Sequence, residues 1–196
     1  MTDQCENGKF IGKLFQHKKS LRVTYGSVTH GNITEKSDED VMLVAKASVV
    51  RRYRHRRKFS INNANYTVVT RNVFLNNLKK YSPVYIEVYL RYRQALEFTD
   101  KEFSINKANL VKSFIEHSKH SFDKVDRLFA VDEYKGRKSL FHAIRLLIYA
   151  SNFYHLNKIN FICANIFFDL VMNSKDLSSL KEFYIKLYQK SIERYL

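Results

Sequence analysis

Asp38 and Asp40 flank a glutamate at the entrance to the apolar run Val41-Met-Leu-Val-Ala45, with Gly26-Ser27 upstream. In an extended strand, residues two apart point to the same side. The pair therefore presents two carboxylates to one face. Like charges so close repel unless a cation offsets them, and hard oxygen ligands at this spacing suit Mg²⁺, or Mn²⁺. Gly26 has no Cβ to hold a phosphate away from the backbone. Backbone N–H groups at the start of a short helical turn, with the Ser27 hydroxyl, make an anion seat. Together the two halves would hold a nucleoside triphosphate and its metal. The plainer reading is a polar loop: Gly-Ser is common in turns, and Ser-Asp-x-Asp often caps a helix or turn.

The elements that must position these residues follow from pattern. Phe10, Ile11, Leu14 and Phe15 recur at helical spacing. Leu21–Tyr25 alternates and predicts a strand; Gly26-Ser27 breaks it, and residues 27–32 predict a short helical turn. Residues 40–45 and 66–70 predict further strands, and 72–80 a short helix. Pro83, the only proline, predicts a turn ahead of a strand over 84–90. Beyond about residue 100, segments 106–120, 121–131, 137–157, 160–173 and 176–194 predict helices. Only Gly136 of the five glycines lies there, so long helices are expected. The expected fold class is α+β: a small mixed sheet with flanking helices over 1–100, then a helical domain over 101–196.

Lys and Arg number 34 against 19 acids, a net charge of +15. Such an excess points to a polyanionic partner, with a solvated basic surface as the alternative. The densest run holds Arg51, Arg52, Tyr53, Arg54, Arg56, Arg57 and Lys58. It could track a phosphate backbone while the ring stacks on a base; a solvated hairpin loop or a localisation signal would have the same composition. Lys138, His142, Arg145 and Tyr149 fall on one stripe of a helix whose other face is apolar. A polar stripe of this kind is most often solvated.

Hydrophobic content of 45% argues against general disorder. Cys5 and Cys163 lie far apart with no metal-ligand pattern around them, as in a reduced cytoplasmic protein. No apolar leader is visible, and residues 140–154 are interrupted by His142 and Arg145, so neither a signal peptide nor a membrane span is expected.

The run GSVTHGNITEKSDED followed by VMLV, residues 26–44, resembles the nucleotidyltransferase motif of the DNA polymerase beta superfamily. The likeness is greatest to its RNA-repair-associated branch of bacteria, phages and large viruses. Residues 65–90, NYTVVTRNVFLNNLKKYSPVYIEVYL, and 138–147, KSLFHAIRLL, are similar to two further segments of that branch. The resemblance implies transfer of an NMP from an NTP to an acceptor, an RNA or DNA end by the charge of the chain. It implies Asp38 and Asp40 as metal ligands, Gly26 and Ser27 at the phosphates, and Lys138, His142 and Arg145 facing triphosphate or acceptor phosphate. The family places a third carboxylate where this chain has Asn65, whose neutral oxygen would weaken a second metal site. Glu87, on the strand expected after Pro83, is the nearest replacement. Two alternatives stand beside this: a nucleic-acid binder that keeps the fold with weakened or lost activity, and an enzyme nucleotidylating a protein or small molecule.

Overall fold

The computed structural model describes residues 20–26, 38–52, 58–61 and 63–196. They form an α+β protein in two compact units, Met1–Ser104 and Ile105–Leu196.

The first unit is built on strands β1 (Leu21–Tyr25), β2 (Glu39–Ala45), β3 (Lys58–Ile61) and β4 (Ala64–Thr70). Their order across the sheet is β1-β2-β4-β3. β1 runs antiparallel to β2, β2 parallel to β4, and β3 antiparallel to β4. Helix α1 (Ala47–Arg52) lies in the crossover between the parallel pair, as parallel strands require. Ile61 pairs with Ala64, and Asn63 turns the chain with a φ of 61°. Asn tolerates the left-handed region better than most residues, so Asn63 suits this turn. Alternation along β2 sends Val41, Leu43 and Ala45 to one face, where they pack with Val50 and Val68 beside Phe59 and Tyr66. Asp40 and Met42 take the other face.

Two helices complete the unit, α2 (Arg71–Lys79) and α3 (Pro83–Leu96). The Thr70 hydroxyl caps α2 by accepting from the Val73 N–H at 3.1 Å. α2 packs against α3, and α3 against β1.

α3 corrects the expected strand over 84–90. Its composition is β-rich, but Pro83 sits in the first helical turn, where its fixed φ and missing N–H are no handicap. Ile86, Glu87, Val88 and Tyr89 are buried consecutively, which strand alternation against one core would not produce. Tertiary burial has overridden propensity.

The second unit is helical: α4 (Lys107–Phe122), α5 (Val125–Val131), α6 (Glu133–Leu156), α7 (Ile166–Asn173) and α8 (Leu177–Tyr195). Asn106, Asp132 and Asp176 cap α4, α6 and α8 by accepting from the N–H of Asn109, Lys135 and Ser179. Central α6 packs against all four neighbours and is therefore buried on nearly every side. Among the described residues, no helix is long and apolar enough to cross a membrane.

Candidate active site

One cross-strand row of the sheet is polar from edge to edge. Tyr25 pairs with Asp40, Asp40 with Asn65, and Asn65 with Ser60. Register partners share a face, so four strands deliver four polar side chains to one line. Asp38, just ahead of β2, joins them: Asn65 donates from Nδ2 to its Oδ2 at 3.1 Å. Ser60 donates from Oγ to Asn65 Oδ1 at 2.5 Å. The amide thus passes an orienting hydrogen bond from the edge strand to Asp38. Glu39, between the aspartates, leaves this face and pairs with Arg22 at 3.1 Å.

Gly26 closes the row on the β1 side. Its φ is +71°, and a Cβ built there would stand 2.6 Å from Asp40 Oδ2. No real Cβ sits so close to a carboxylate oxygen, so a side chain at 26 would have to displace Asp40. The glycine upstream and the second aspartate therefore meet in space. Ser27 and the turn expected over 27–32 lie outside the described residues, as does the helical pattern at 10–15.

Tyr25 lies beside the same carboxylate. Its hydroxyl is 3.3 Å from Thr67 Oγ1. Burial pushes the phenol pKa up, the Thr67 hydrogen bond opposes this, and the Asp40 charge adds to the rise. Tyr85 of α3 is raised too, by burial first and then by Tyr25. Both phenols stay protonated at neutral pH and can offer an O–H to an anion. Tyr25 and Ser60 were missed by the sequence reading. The Asn62-Asn63 turn was the available signal, since a two-residue loop there fixes Ser60 opposite Asn65.

The donor set can be tested for Mg²⁺. Two carboxylates on one face fit a single Mg²⁺ that completes its shell with water and phosphate oxygens. A second ion fits poorly. Among the described residues, no group of three or more His, Cys, Asp or Glu could hold a metal. Asn65 stands in the third position, but its Oδ1 is engaged by Ser60 and its Nδ2 faces Asp38. It acts here as a hydrogen-bond donor to the Asp38 carboxylate. Glu87 does not replace it: the residue is on helix α3, not on a strand, and is 2% exposed.

Arg51 and Arg52 end α1, and Lys58 opens β3. Arg51 and Lys58 are exposed. Tyr53, Arg54, Arg56 and Arg57 lie outside the described residues.

Lys138, His142, Arg145 and Tyr149 do lie on one stripe of α6, in the second unit. The stripe is not simply solvated. Lys138 is exposed and His142 half-buried, but Arg145 is 8% exposed and Tyr149 fully buried. α6 runs through the middle of its bundle, so its polar stripe is enclosed as well as its apolar face. Arg145 Nη2 lies 2.7 Å from His142 Nδ1. Arginine can only donate, so that ring nitrogen accepts and carries no proton. The guanidinium also sits 5.7 and 5.9 Å from the Phe141 and Tyr149 ring centroids, and its Nε has no hydrogen-bond partner among the described residues.

No protein-family model matches this chain, and no curated protein matches it significantly.

Proposed function

We propose that this protein is a metal-dependent nucleotidyltransferase that moves an NMP from an NTP to a hydroxyl at a nucleic-acid end, RNA in the first instance. The observation that carries the reading is the approach of Gly26 to Asp40, in a sheet row that also holds Asn65 and the hydrogen-bonded Asp38. A carboxylate pair beside a side-chain-free bend is what a triphosphate needs for close approach. In the reaction, the acceptor oxygen bonds to the α-phosphorus and the bond to the β-phosphate bridging oxygen breaks. Pyrophosphate leaves with the electron pair, and the acceptor proton passes to solvent. Mg²⁺ or Mn²⁺ held by Asp38 and Asp40 would offset charge on the phosphate oxygens. Asn65 fixes the Asp38 carboxylate, and Tyr25 offers its O–H on the same face.

Incubation with α-labelled NTPs, Mg²⁺ and short RNA and DNA strands tests this. Label should enter the nucleic acid with wild type and not with Asp40→Asn. No transfer by wild type, or equal transfer by the variant, overturns it; label on a protein band redirects it to protein nucleotidylation.

A second reading has its own support. Asn65 in place of a third acid, with Glu87 enclosed in α3, favours a fold that binds nucleic acid and has lost turnover. Salt-sensitive RNA binding without Mg²⁺-dependent NTP binding would select it.

A further inference from the structure

The helical unit carries an aromatic and cationic cluster far along the chain from the carboxylate row. Tyr154 and His155, at the end of α6, meet Tyr195, at the end of α8. The two tyrosine rings lie 4.6 Å apart at 40°, and the His155 ring is 5.8 Å from Tyr195. Tyr195 donates its O–H to Ser151 at 2.9 Å, and His155 Nε2 lies 3.3 Å from the same oxygen. The rings are thus held in place by hydrogen bonds as well as by packing. Lys107, in the first turn of α4, places its ammonium 5.0 Å from the Tyr154 ring centroid. Arg194 lies over Tyr195 at 5.9 Å. Neither cation has a carboxylate partner among the described residues, whereas Lys112, Lys119, Lys181 and Lys186 all do.

A ring cluster that served only to fasten helix ends would be enclosed. Here Tyr154 keeps 37% of its surface exposed, and His155 is exposed beside it. Fixed, partly open rings with cations close by are what single-stranded nucleic acid uses: bases stack on exposed ring surface while phosphates meet the charges. Duplex bases are already stacked and have no face to offer.

We infer that Tyr154, Tyr195, His155, Lys107 and Arg194 form a stacking platform for single-stranded nucleic acid. It stands apart from nucleotidyl transfer and needs neither nucleotide nor metal.

The test measures fluorescence anisotropy of a labelled oligouridylate of about twelve nucleotides with the full chain, in EDTA and without NTP. Wild type should bind the single strand more tightly than a duplex of equal length. Tyr154→Ala should weaken binding about tenfold with an unchanged circular-dichroism melt, and Tyr154→Phe should retain it. Lys107→Gln should lower the slope of log K against log salt by about 0.7, and Lys186→Gln, which removes the same charge elsewhere, should leave it unchanged. Four results overturn the platform: no binding by wild type, wild-type binding by Tyr154→Ala, loss with Tyr154→Phe, or equal slopes for the two lysine variants. Because EDTA silences the carboxylate row, failure here leaves nucleotidyl transfer standing, and failure of transfer leaves the platform standing.

Discussion

Oδ2 of Asp40 lies 2.6 Å from the point where a Cβ on Gly26 would stand. The bend and the carboxylate therefore constrain one another. Gly26→Ala meets two penalties: a φ of +71° that L-residues rarely adopt, and a collision that turns the carboxylate away. Glycine-to-alanine changes at positive φ destabilise by more than about 1 kcal/mol. Thermal melts should show that loss, and nucleotide binding measured well below the melting temperature should fall further than stability accounts for.

Asn65 allows a sharper separation. Asn65→Leu removes the donor to Asp38 and should weaken Mg²⁺ binding about ten- to a hundredfold, as loss of an orienting partner does. Asn65→Asp instead puts a third carboxylate beside Asp38 and Asp40. Without metal the variant should melt below wild type through like-charge repulsion. Added Mg²⁺ should raise its melting temperature more than that of wild type. Equal metal-induced shifts in all three proteins would remove Asn65 from the site.

The Arg71–Glu102 pair in the first unit predicts a pH dependence. Arg71 also donates to the Glu97 carbonyl at 3.1 Å. The hydrogen bond from Arg71, aided by the Thr99 N–H, lowers the Glu102 pKa from its ordinary 4.5 to about 2. A depressed carboxyl stabilises the fold above its unfolded pKa. That contribution is complete above about pH 4.5 and is lost as pH falls toward 2. Denaturant titrations at pH 7 and pH 3 should show a wild-type advantage over Glu102→Gln that shrinks at the lower pH. The pair is partly exposed, and added salt should reduce the advantage at pH 7.

Inside the second unit, Ser118 donates to the Ala143 carbonyl at 2.8 Å and lies 3.1 Å from the Tyr184 hydroxyl. Since Ser118 spends its proton on the carbonyl, Tyr184 must be the donor between them. Burial pushes the Tyr184 pKa up, which keeps that proton in place at any working pH. Tyr184→Phe loses one hydrogen bond, about 1 kcal/mol, and leaves the Ser118–Ala143 bond intact. Ser118→Ala strands the phenol as a buried donor and leaves the carbonyl short of a partner, about 1–3 kcal/mol. Urea titrations should rank Ser118→Ala as the more damaging.

Gly136 sets two effects against each other. Alanine is favoured over glycine in a helix by about 1 kcal/mol. Yet a Cβ at Gly136 would lie 2.7 Å from the Phe129 Cα, and backbone cannot rotate aside as a side chain can. Overpacking of this kind costs about 1–3 kcal/mol, so Gly136→Ala should be destabilising on balance in a thermal melt.

Short-range signals were readable from the chain itself. Alternation marked β1, a short apolar run marked β2, and the glycine-poor second half marked its helices, because each depends on residues within a turn or a strand of one another. The aspartate spacing likewise put two carboxylates on one face with no tertiary information. What the folded chain decided was non-local. Val84–Leu90 is helix because Pro83 starts it and the core takes Ile86 to Tyr89 together, against its own β propensity. Arg145 is enclosed because α6 became the central helix of its unit, and no local pattern says which helix will be central. Asn65 could be placed opposite the aspartates by likeness, but that its amide turns a donor toward Asp38 depends on Ser60 arriving from a third strand. Register joins residues that sequence distance separates, so Tyr25, Asp40, Asn65 and Ser60 become one row only when the sheet closes.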